Sequence, residues 1–511
     1  MTDVGVGSWP ARRARMTPDR VAFRQGPRSL SYRELAHRVD ALAGGLAARG
    51  VGRGDRVVHL GPNDIATFET FFATARLGAV FVPLNYRLAA PEIRDLVADA
   101  QPRLAVCGAE SATLAGAAMA GVPLVVIDAD AKEMADAEPF EALVSSSNRP
   151  RPDVEVDFAD PAVILYTSGT TGRPKGVVLS HQNLTFNTVN QLAHIDVLST
   201  DVVLCTAPLF HATGLSQVSL PTLFKGGTVI VAPKFDPSWL LRTISELRVT
   251  AFSAVPTMLQ MLVDHPEWDS ADLSSLRYVN YGGSSVLERV ARAWLARGVR
   301  VVQGYGMTEA SPGVTMEMPD RPADQPTSAG VPHFFTDVAV HDPAGGAMSQ
   351  TSGAGELLVR GPNVFAGYWR QDDASAQAFV DGWFRSGDIA RLDADGNAYI
   401  VDRVKDLIIS GGENIYPGEV EAAIASFPEV LDVAVIAVPD DRWGEVGAAY
   451  VVLREGFALD EADLRERLAA KLAKFKAPKH LRVVAQLPRS ATGKIRRADL
   501  RAAFHSEETS T

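Results

Sequence analysis

Between Tyr166 and Gly176 the chain reads Tyr-Thr-Ser-Gly-Thr-Thr-Gly-Arg-Pro-Lys-Gly. Glycines let a backbone curl and bring its N–H groups close to a polyanion, the serine and threonine hydroxyls add donors, and Arg173 and Lys175 add positive charge. These residue types suit the phosphates of a nucleoside triphosphate. The spacing is not that of the common Gly-x-x-x-x-Gly-Lys-Ser/Thr loop, because Lys175 stands between Pro174 and Gly176. Read alone, the stretch is also compatible with a flexible surface turn. Three more short segments carry polar chemistry beside glycine: Gly304-Tyr-Gly-Met-Thr-Glu309, Arg385-Ser-Gly-Asp388 and Pro488-Arg-Ser-Ala-Thr-Gly-Lys-Ile495. The first begins as Gly-x-Gly, but Glu309 occupies the place of the third glycine of a dinucleotide fingerprint. Taken singly, Ser-Gly-Asp is an ordinary turn and a lone lysine after glycine is ordinarily solvated.

The elements that must hold these groups can be read from apolar patterning. Ala162-Val-Ile-Leu165 predicts a buried strand opening into the first loop, and Val301-Val-Gln303 a strand leading into Gly304. Upstream, Ser31 is placed to cap a helix carrying Leu35, Val39, Leu42 and Leu46, with Gly50 just past its end. Arg56–Leu60 and Ala79–Pro83 read as strands separated by a helical stretch. Alternation of this kind, continuing to about residue 400, predicts an α/β architecture with largely parallel sheets. The segment 145–153 is a polar, proline-bearing connector. From about Asp402 the texture changes. Val430–Val438 and Ala448–Leu453 are strand-like, and Leu464, Leu468 and Leu472 recur along a charged helix, which predicts a compact α+β domain of about one hundred residues.

With 511 residues, 46% of them hydrophobic, the chain can bury a large core and more than one domain. A net charge of −11 leaves no basic excess for a nucleic-acid surface. Cys107 and Cys205 lack metal-ligand spacing and do not form a disulfide framework pattern. No charged and apolar leader follows Met1, no run approaches the ~18 apolar residues of a membrane span, and the last residues are not a peroxisomal address. The expectation is a cytoplasmic protein.

The string from Tyr166 to Gly176, followed in order by Tyr305-Gly-Met-Thr-Glu309, Asp381-Gly-Trp-Phe-Arg-Ser-Gly-Asp388, Asp402-Arg-Val-Lys-Asp406 and the segment ending Gly493-Lys494, resembles the adenylate-forming superfamily. That group includes acyl-CoA synthetases, firefly-type luciferases and peptide-synthetase adenylation domains. The resemblance runs from about residue 8 to residue 500. It implies a large N-terminal domain of α/β subdomains over 1–401, a hinge at 402–406 pivoting on Lys405, and a small mobile α+β C-terminal domain over 407–511. It implies ATP as nucleotide, with Thr167, Ser168, Gly169, Thr170, Thr171, Gly172 and Lys175 on its phosphates and Gly283 and Tyr305 beside the adenine. Thr308 would bind the α-phosphate, Asp388 and Arg403 the ribose, and Glu309 the magnesium ion, for which one carboxylate plus phosphate oxygens suffices. Lys494 would be the catalytic lysine between carboxylate and α-phosphate. Many relatives have Gly-Arg where this chain has Asp402-Arg403, which leaves the matching arginine in place.

The same resemblance puts Phe210, His211, Leu215, Val255, Gly282, Gly283 and Gly306 around the acyl group, with the glycines leaving room for something bulkier than acetate. Gly411, Gly412, Trp443, Lys474 and Lys476 would receive coenzyme A. Peptide-synthetase domains place an aspartate soon after the segment matching Pro208–Gly214; His211-Ala-Thr-Gly-Leu-Ser216 has none, so an amino-acid substrate is not expected. The expected reaction joins a medium-chain, aryl or bulky apolar carboxylic acid to coenzyme A through an acyl adenylate. The alternatives are an enzyme that loads a separate acyl-carrier protein and a non-catalytic adenylate-binding protein.

Overall fold

Ser31 accepts the amide proton of Glu34 at 3.2 Å and gives its own amide proton to the Glu34 carboxylate at 2.7 Å, the reciprocal cap that starts the helix Tyr32–Ala48. Leu35, Val39, Leu42 and Leu46 are all buried along it, each contributing about 1.5–3 kcal/mol by leaving water. The computed structural model describes residues 3–128, 137–145, 154–167, 174–282, 288–318, 328–341, 348–350, 352–403, 406, 408–410, 413–415, 417–440, 443–469, 471–472, 476–489 and 495–508. By contact the chain divides into two units, Met1–Val338 with Val359–Phe384, and Ala339–Leu358 with Arg385–Thr511. The segment 402–406 lies inside the second unit.

Two large sheets are built from described residues of the first unit. An eight-stranded sheet runs Gly367–Tyr368, Lys175–Ser180, Pro161–Thr167, Val80–Leu84, Arg56–Leu60, Leu104–Gly108, Leu124–Ile127, Ala137–Pro139. Its strands from Val80–Leu84 to Ala137–Pro139 are parallel, and the near-continuous apolar sequences of those from Val80–Leu84 to Leu124–Ile127 match burial on both faces. Pro161–Thr167 and Lys175–Ser180 form an antiparallel hairpin, with Thr167 opposite Lys175. The strand expected at Ala162–Leu165 runs on to Thr167, and residues 168–173 lie outside the described residues.

A nine-stranded sheet runs Val331–Pro332, Gly313–Met316, Arg300–Gly306, Tyr278–Tyr281, Ala251–Ala254, Val202–Cys205, Thr228–Val231, Val21–Gln25, Arg28–Ser31. One face packs Leu204, Phe252, Val279 and Tyr281 into a core with helices Pro237–Leu247, Pro256–Val263 and Glu288–Ala296. Alternation along a strand turns Cys205, Ser253 and Asn280 to the other face. There the Cys205 thiol lies 3.7 Å from the carbonyl of Gly214, in the turn Thr213–Gln217. Cys107 and Cys205 are both buried, and burial pushes both thiols up to about 12.

The strand–helix alternation ends well before residue 400. From Gly313 to Arg403 the described residues hold many strands and the short helix Asp372–Gln377. The strand pairs given for this stretch, such as Gly313–Met316 with Val331–Pro332 and Trp383–Leu392 with Ala398–Arg403, are antiparallel and need no helical crossover.

In the second unit, Glu413–Ile415, Ile408–Ser410, Gly444–Leu453 and Val430–Asp440 form an antiparallel run, and His480–Val483 joins Gly444–Leu453 in parallel. Val433, Val435, Ala449 and Val451 face one core with Leu464 and Leu468. Ala434, Ile436, Ala448 and Tyr450 face a second with Leu500 and Phe504 of the helix Arg497–Glu508. The period-two alternation of Val430–Asp440 thus feeds two apolar layers, as an α+β domain requires. Asp406 is buried and takes Arg501 at 2.6 Å, with Arg497 at 3.9 Å. Among the described residues no helix is long and apolar enough to cross a membrane.

Candidate active site

Hairpin pairing brings Thr167 and Lys175 opposite one another at the end of the eight-stranded sheet. Ser168, Gly169, Thr170, Thr171 and Gly172 lie outside the described residues. Gly367–Tyr368 adds to the hairpin edge, Tyr368 opposite Val177, and the amide of Trp369 donates to the carbonyl of Gly176 at 2.7 Å. This pairing puts the Tyr368 ring 4.7 Å from the Lys175 ammonium, a cation–π contact. The Tyr368 hydroxyl donates to Oε1 of Glu309 at 3.1 Å. Burial, and then the charge and hydrogen bond of Glu309, push the phenol well above its ordinary value, so it stays a donor. One aromatic side chain therefore joins the cation of the first motif to the carboxylate of the second. Tyr368 was not among the sequence-derived candidates; its only local signal is an aromatic pair after Gly367.

Tyr305 is the penultimate residue of the strand Arg300–Gly306, and Thr308 and Glu309 open a single 3₁₀ turn, Thr308–Ala310. Asn363, fully buried, donates to the carbonyls of Ala310 at 3.1 Å and Gly313 at 2.8 Å and accepts from Thr336 at 2.9 Å. Ser216 donates to the carbonyl of Ser311 at 2.8 Å, and Phe365 N to that of Glu309 at 2.8 Å. The turn bearing the carboxylate is fixed from several sides by residues with no motif of their own. Gly306 is glycine for a backbone reason: a Cβ there would lie 1.8 Å from the Pro312 carbonyl oxygen. At Gly282 a Cβ would meet the Gly304 carbonyl at 2.9 Å. Their missing side chains allow this close backbone approach. Gly283 lies outside the described residues.

Phe210 and His211 follow strand Val202–Cys205, their rings 4.6 Å apart, and Phe210 meets Tyr86 edge-on at 5.8 Å. Asn63 sets this loop: its side-chain amide donates to the Ala207 carbonyl at 2.9 Å and its oxygen accepts from Leu209 N at 2.8 Å. Gly214 closes it, since a Cβ there would lie 2.3 Å from the Pro208 carbonyl. Leu215 is buried in the following turn, and Val255 precedes helix Pro256–Val263.

Within the second unit, Asp388 lies on strand Trp383–Leu392 opposite Arg403 and is buried. Its turn is set by Glu356, another residue the motifs did not reveal. Glu356 is buried, accepts from Arg385 at 2.6 and 3.0 Å and from Gly387 N at 3.3 Å. Trp443 is exposed. Lys476 is held by both carboxylate oxygens of Glu419 at 2.7 Å, so a phosphate there would compete with that pair. Lys405, Gly411, Gly412, Lys474 and Lys494 lie outside the described residues.

Among the described residues no three metal-ligating side chains cluster. The half-buried carboxylate of Glu309 would fit a hard divalent ion that takes most of its ligands from phosphate oxygens and water.

Residues 10–369 match the AMP-binding enzyme family and residues 419–494 its C-terminal domain. The chain is 47% identical over 504 residues to a feruloyl-CoA synthase of an Amycolatopsis species, covering 99% of this chain and 100% of that one. It is 41% identical to an indoleacetate–CoA ligase of Aromatoleum aromaticum, over 97% of each. Its structure resembles ATP-bound MatB from Rhodopseudomonas palustris with a TM-score of 0.88 at 32% identity, covering 98% of this chain and 99% of that one.

Proposed function

The chain belongs to the AMP-binding enzyme family and is an acid–thiol ligase, and from that premise we propose that it converts an aryl carboxylic acid to its coenzyme A thioester through an acyl adenylate. The observation that carries this reading is likeness along the whole chain to ligases named for aryl acids, feruloyl and indoleacetate.

In the first half-reaction a carboxylate oxygen attacks the α-phosphorus of ATP, the α–β P–O bond breaks, and pyrophosphate leaves. The work is positioning and charge neutralisation. Lys175 and the 167–172 loop hold the phosphates, Thr308 the α-phosphate, and Tyr305 and Gly283 the adenine. Asp388 and Arg403 take the ribose. When bound, a magnesium ion would spread the phosphate charge, and Glu309 would hold it. Tyr368 fixes the direction of that carboxylate. Lys494 neutralises the oxygens around the bond being made. In the second half-reaction the coenzyme A sulfur attacks the acyl carbon and AMP departs with the shared electron pair.

A hinge at 402–406 fits the gap between the two family matches, which end at 369 and resume at 419. We assign Lys405 as its pivot. The residue pair Gly411 and Gly412, with Trp443, Lys474 and Lys476, forms the coenzyme A face. The test is Lys494→Ala: adenylation should fall by at least ~100-fold, roughly 2.7 kcal/mol, while thiolation of supplied adenylate is spared. Equal loss in both half-reactions would overturn the division of labour. Mass spectrometry of an aryl-acid mixture with ATP, magnesium and coenzyme A should yield an aryl-CoA; acyl-AMP alone would move the acceptor elsewhere.

A further inference from the structure

Strand pairing around the first motif sorts its residues by face. Thr167 stands opposite Lys175, Tyr166 opposite Gly176, and Tyr368 opposite Val177. Paired residues share a face and neighbours along a strand alternate. Thr167, Lys175 and Tyr368 therefore lie on one face, and Tyr166, Gly176 and Trp369 on the other. The first face carries the groups assigned to phosphate. The second packs on the helix Ala90–Ala100, with Ile164, Tyr166, Val178 and Trp369 against Leu96, Val97 and Ala100.

Within that apolar contact two polar bonds converge on one residue. The Tyr166 hydroxyl donates to Oδ2 of Asp99 at 2.6 Å, and the Trp369 indole N–H donates to the Asp99 carbonyl at 3.2 Å. Of the three neighbouring strands Gly367–Tyr368, Lys175–Ser180 and Pro161–Thr167, the outer two are thus tied to a single point on the helix. The middle one passes between them at Gly176, where a Cβ would lie 3.1 Å from Trp369 Cβ and 3.3 Å from the Tyr166 ring. The helix end is fixed in turn. Arg56 donates to the carbonyls of Ala100 at 2.7 Å and Gln101 at 2.6 Å, and its guanidinium lies 5.5 Å from the centre of the Trp369 ring. Burial, and then the hydrogen bond and charge of Asp99, push the Tyr166 phenol well above its ordinary value, so it remains a donor. A short bond from a hydroxyl to a carboxylate is among the stronger and more directional ones.

We propose that Asp99 is a positioning residue for adenylation: through Tyr166 it sets the strand end beside Thr167 and Lys175, so that these two meet the phosphates of ATP that leave as pyrophosphate. The proposal rests on the reading that Lys175 and the 167–172 loop hold the phosphates. Asp99 itself touches no substrate. Its influence should appear where a triphosphate is bound and vanish for AMP and for supplied acyl adenylate, which lack the two outer phosphates.

The test is calorimetric titration of the full-length enzyme with ATP and with AMP, alongside thiolation of supplied adenylate. Tyr166→Phe deletes one oxygen and should weaken ATP by at least ~5-fold, with AMP binding and thiolation within about twofold of wild type. Asp99→Ala should show the same selective loss, and the double variant no more than either alone, as for two ends of one bond. Asp99→Asn keeps an acceptor for the hydroxyl and should recover most of the affinity. Equal weakening of ATP and AMP by Tyr166→Phe, no weakening at all, or a loss that Asp99→Asn does not restore would each overturn the assignment. Lys175→Ala tests the underlying reading: if ATP is not weakened relative to AMP, the phosphate role of the loop falls and this proposal with it. If Lys175→Ala has that effect and Tyr166→Phe has none, the proposal alone falls.

Discussion

Tyr368 and Glu309 are joined by a 3.1 Å hydrogen bond between residues 59 positions apart, and the same Tyr368 ring lies 4.7 Å from the ammonium of Lys175. The hydroxyl and the ring face thus serve two different charged groups. Tyr368→Phe separates them, keeping the ring and removing the donor. A hydrogen bond to a charged group contributes about 1.5–3 kcal/mol, so adenylation should fall at least ~10-fold. The magnesium concentration for half-maximal pyrophosphate release should rise, while thiolation of supplied adenylate holds. A magnesium profile identical to that of the wild type would show that the hydroxyl does not orient the carboxylate.

Asn363 ties the end of the turn that carries Thr308 and Glu309 to the start of the strand Gly313–Met316. Asn363→Ala strands the buried carbonyls of Ala310 and Gly313, costing about 1–3 kcal/mol. Amide exchange should accelerate locally at residues 308–313 before the rest of the first unit loosens, and the KM for ATP should rise. Uniform acceleration throughout the unit would point to a global packing role instead.

Asp388 and Glu356 should separate direct ribose contact from support of the turn. Asp388→Ala should raise the KM for ATP by roughly 10- to 100-fold, about 1.4–2.7 kcal/mol, and erase discrimination between ATP and 2′-deoxy-ATP. Glu356→Gln loosens the turn without touching nucleotide, so it should give a smaller KM increase with discrimination retained. Identical behaviour of the two variants would remove the distinction.

Burial favours the neutral rings of His59, His181 and His333, lowering them from 6.5 to about 4, about 4 and about 3. The unfolded chain takes up these protons near 6.5; the folded unit refuses them until far lower pH. Stability is therefore full above about pH 6.5 and falls as pH drops toward 4, by up to ~1.4 kcal/mol per pH unit for each histidine. Denaturant midpoints between pH 7 and pH 5 should show this, and His333→Leu should flatten the decline. An unchanged slope would assign the acid sensitivity to other groups.

What could be read directly from sequence was what repeats or sits locally. The Ser31 cap lies three residues from its partner, and the helix from Tyr32 shows its apolar spacing in place. The strand Arg56–Leu60 matches its expected limits, and the leucines of helix Glu461–Ala469 pack inward. The residues that orient the motifs left no such trace. Asn363 meets Gly313 across 50 positions and Glu356 meets Arg385 across 29, with no periodicity or turn chemistry between them. Such partners exist only once sheets have paired. Gly306 was visible as a glycine, but its reason, the Pro312 carbonyl, depends on how the chain doubles back.

Asn63 bonds both Ala207 and Leu209, 144 and 146 residues away, so the loop carrying Phe210 and His211 is registered by a side chain from the other sheet's end of the unit. That makes the two segments a single heritable module. A chimera with a crossover between residues 63 and 207 inherits the halves of this clamp from different parents. Where the second parent lacks an asparagine at the matching position, Phe210 and His211 would arrive on a loop without its anchor. Engineering substrate range by exchanging the 207–215 segment should therefore carry Asn63 along with it.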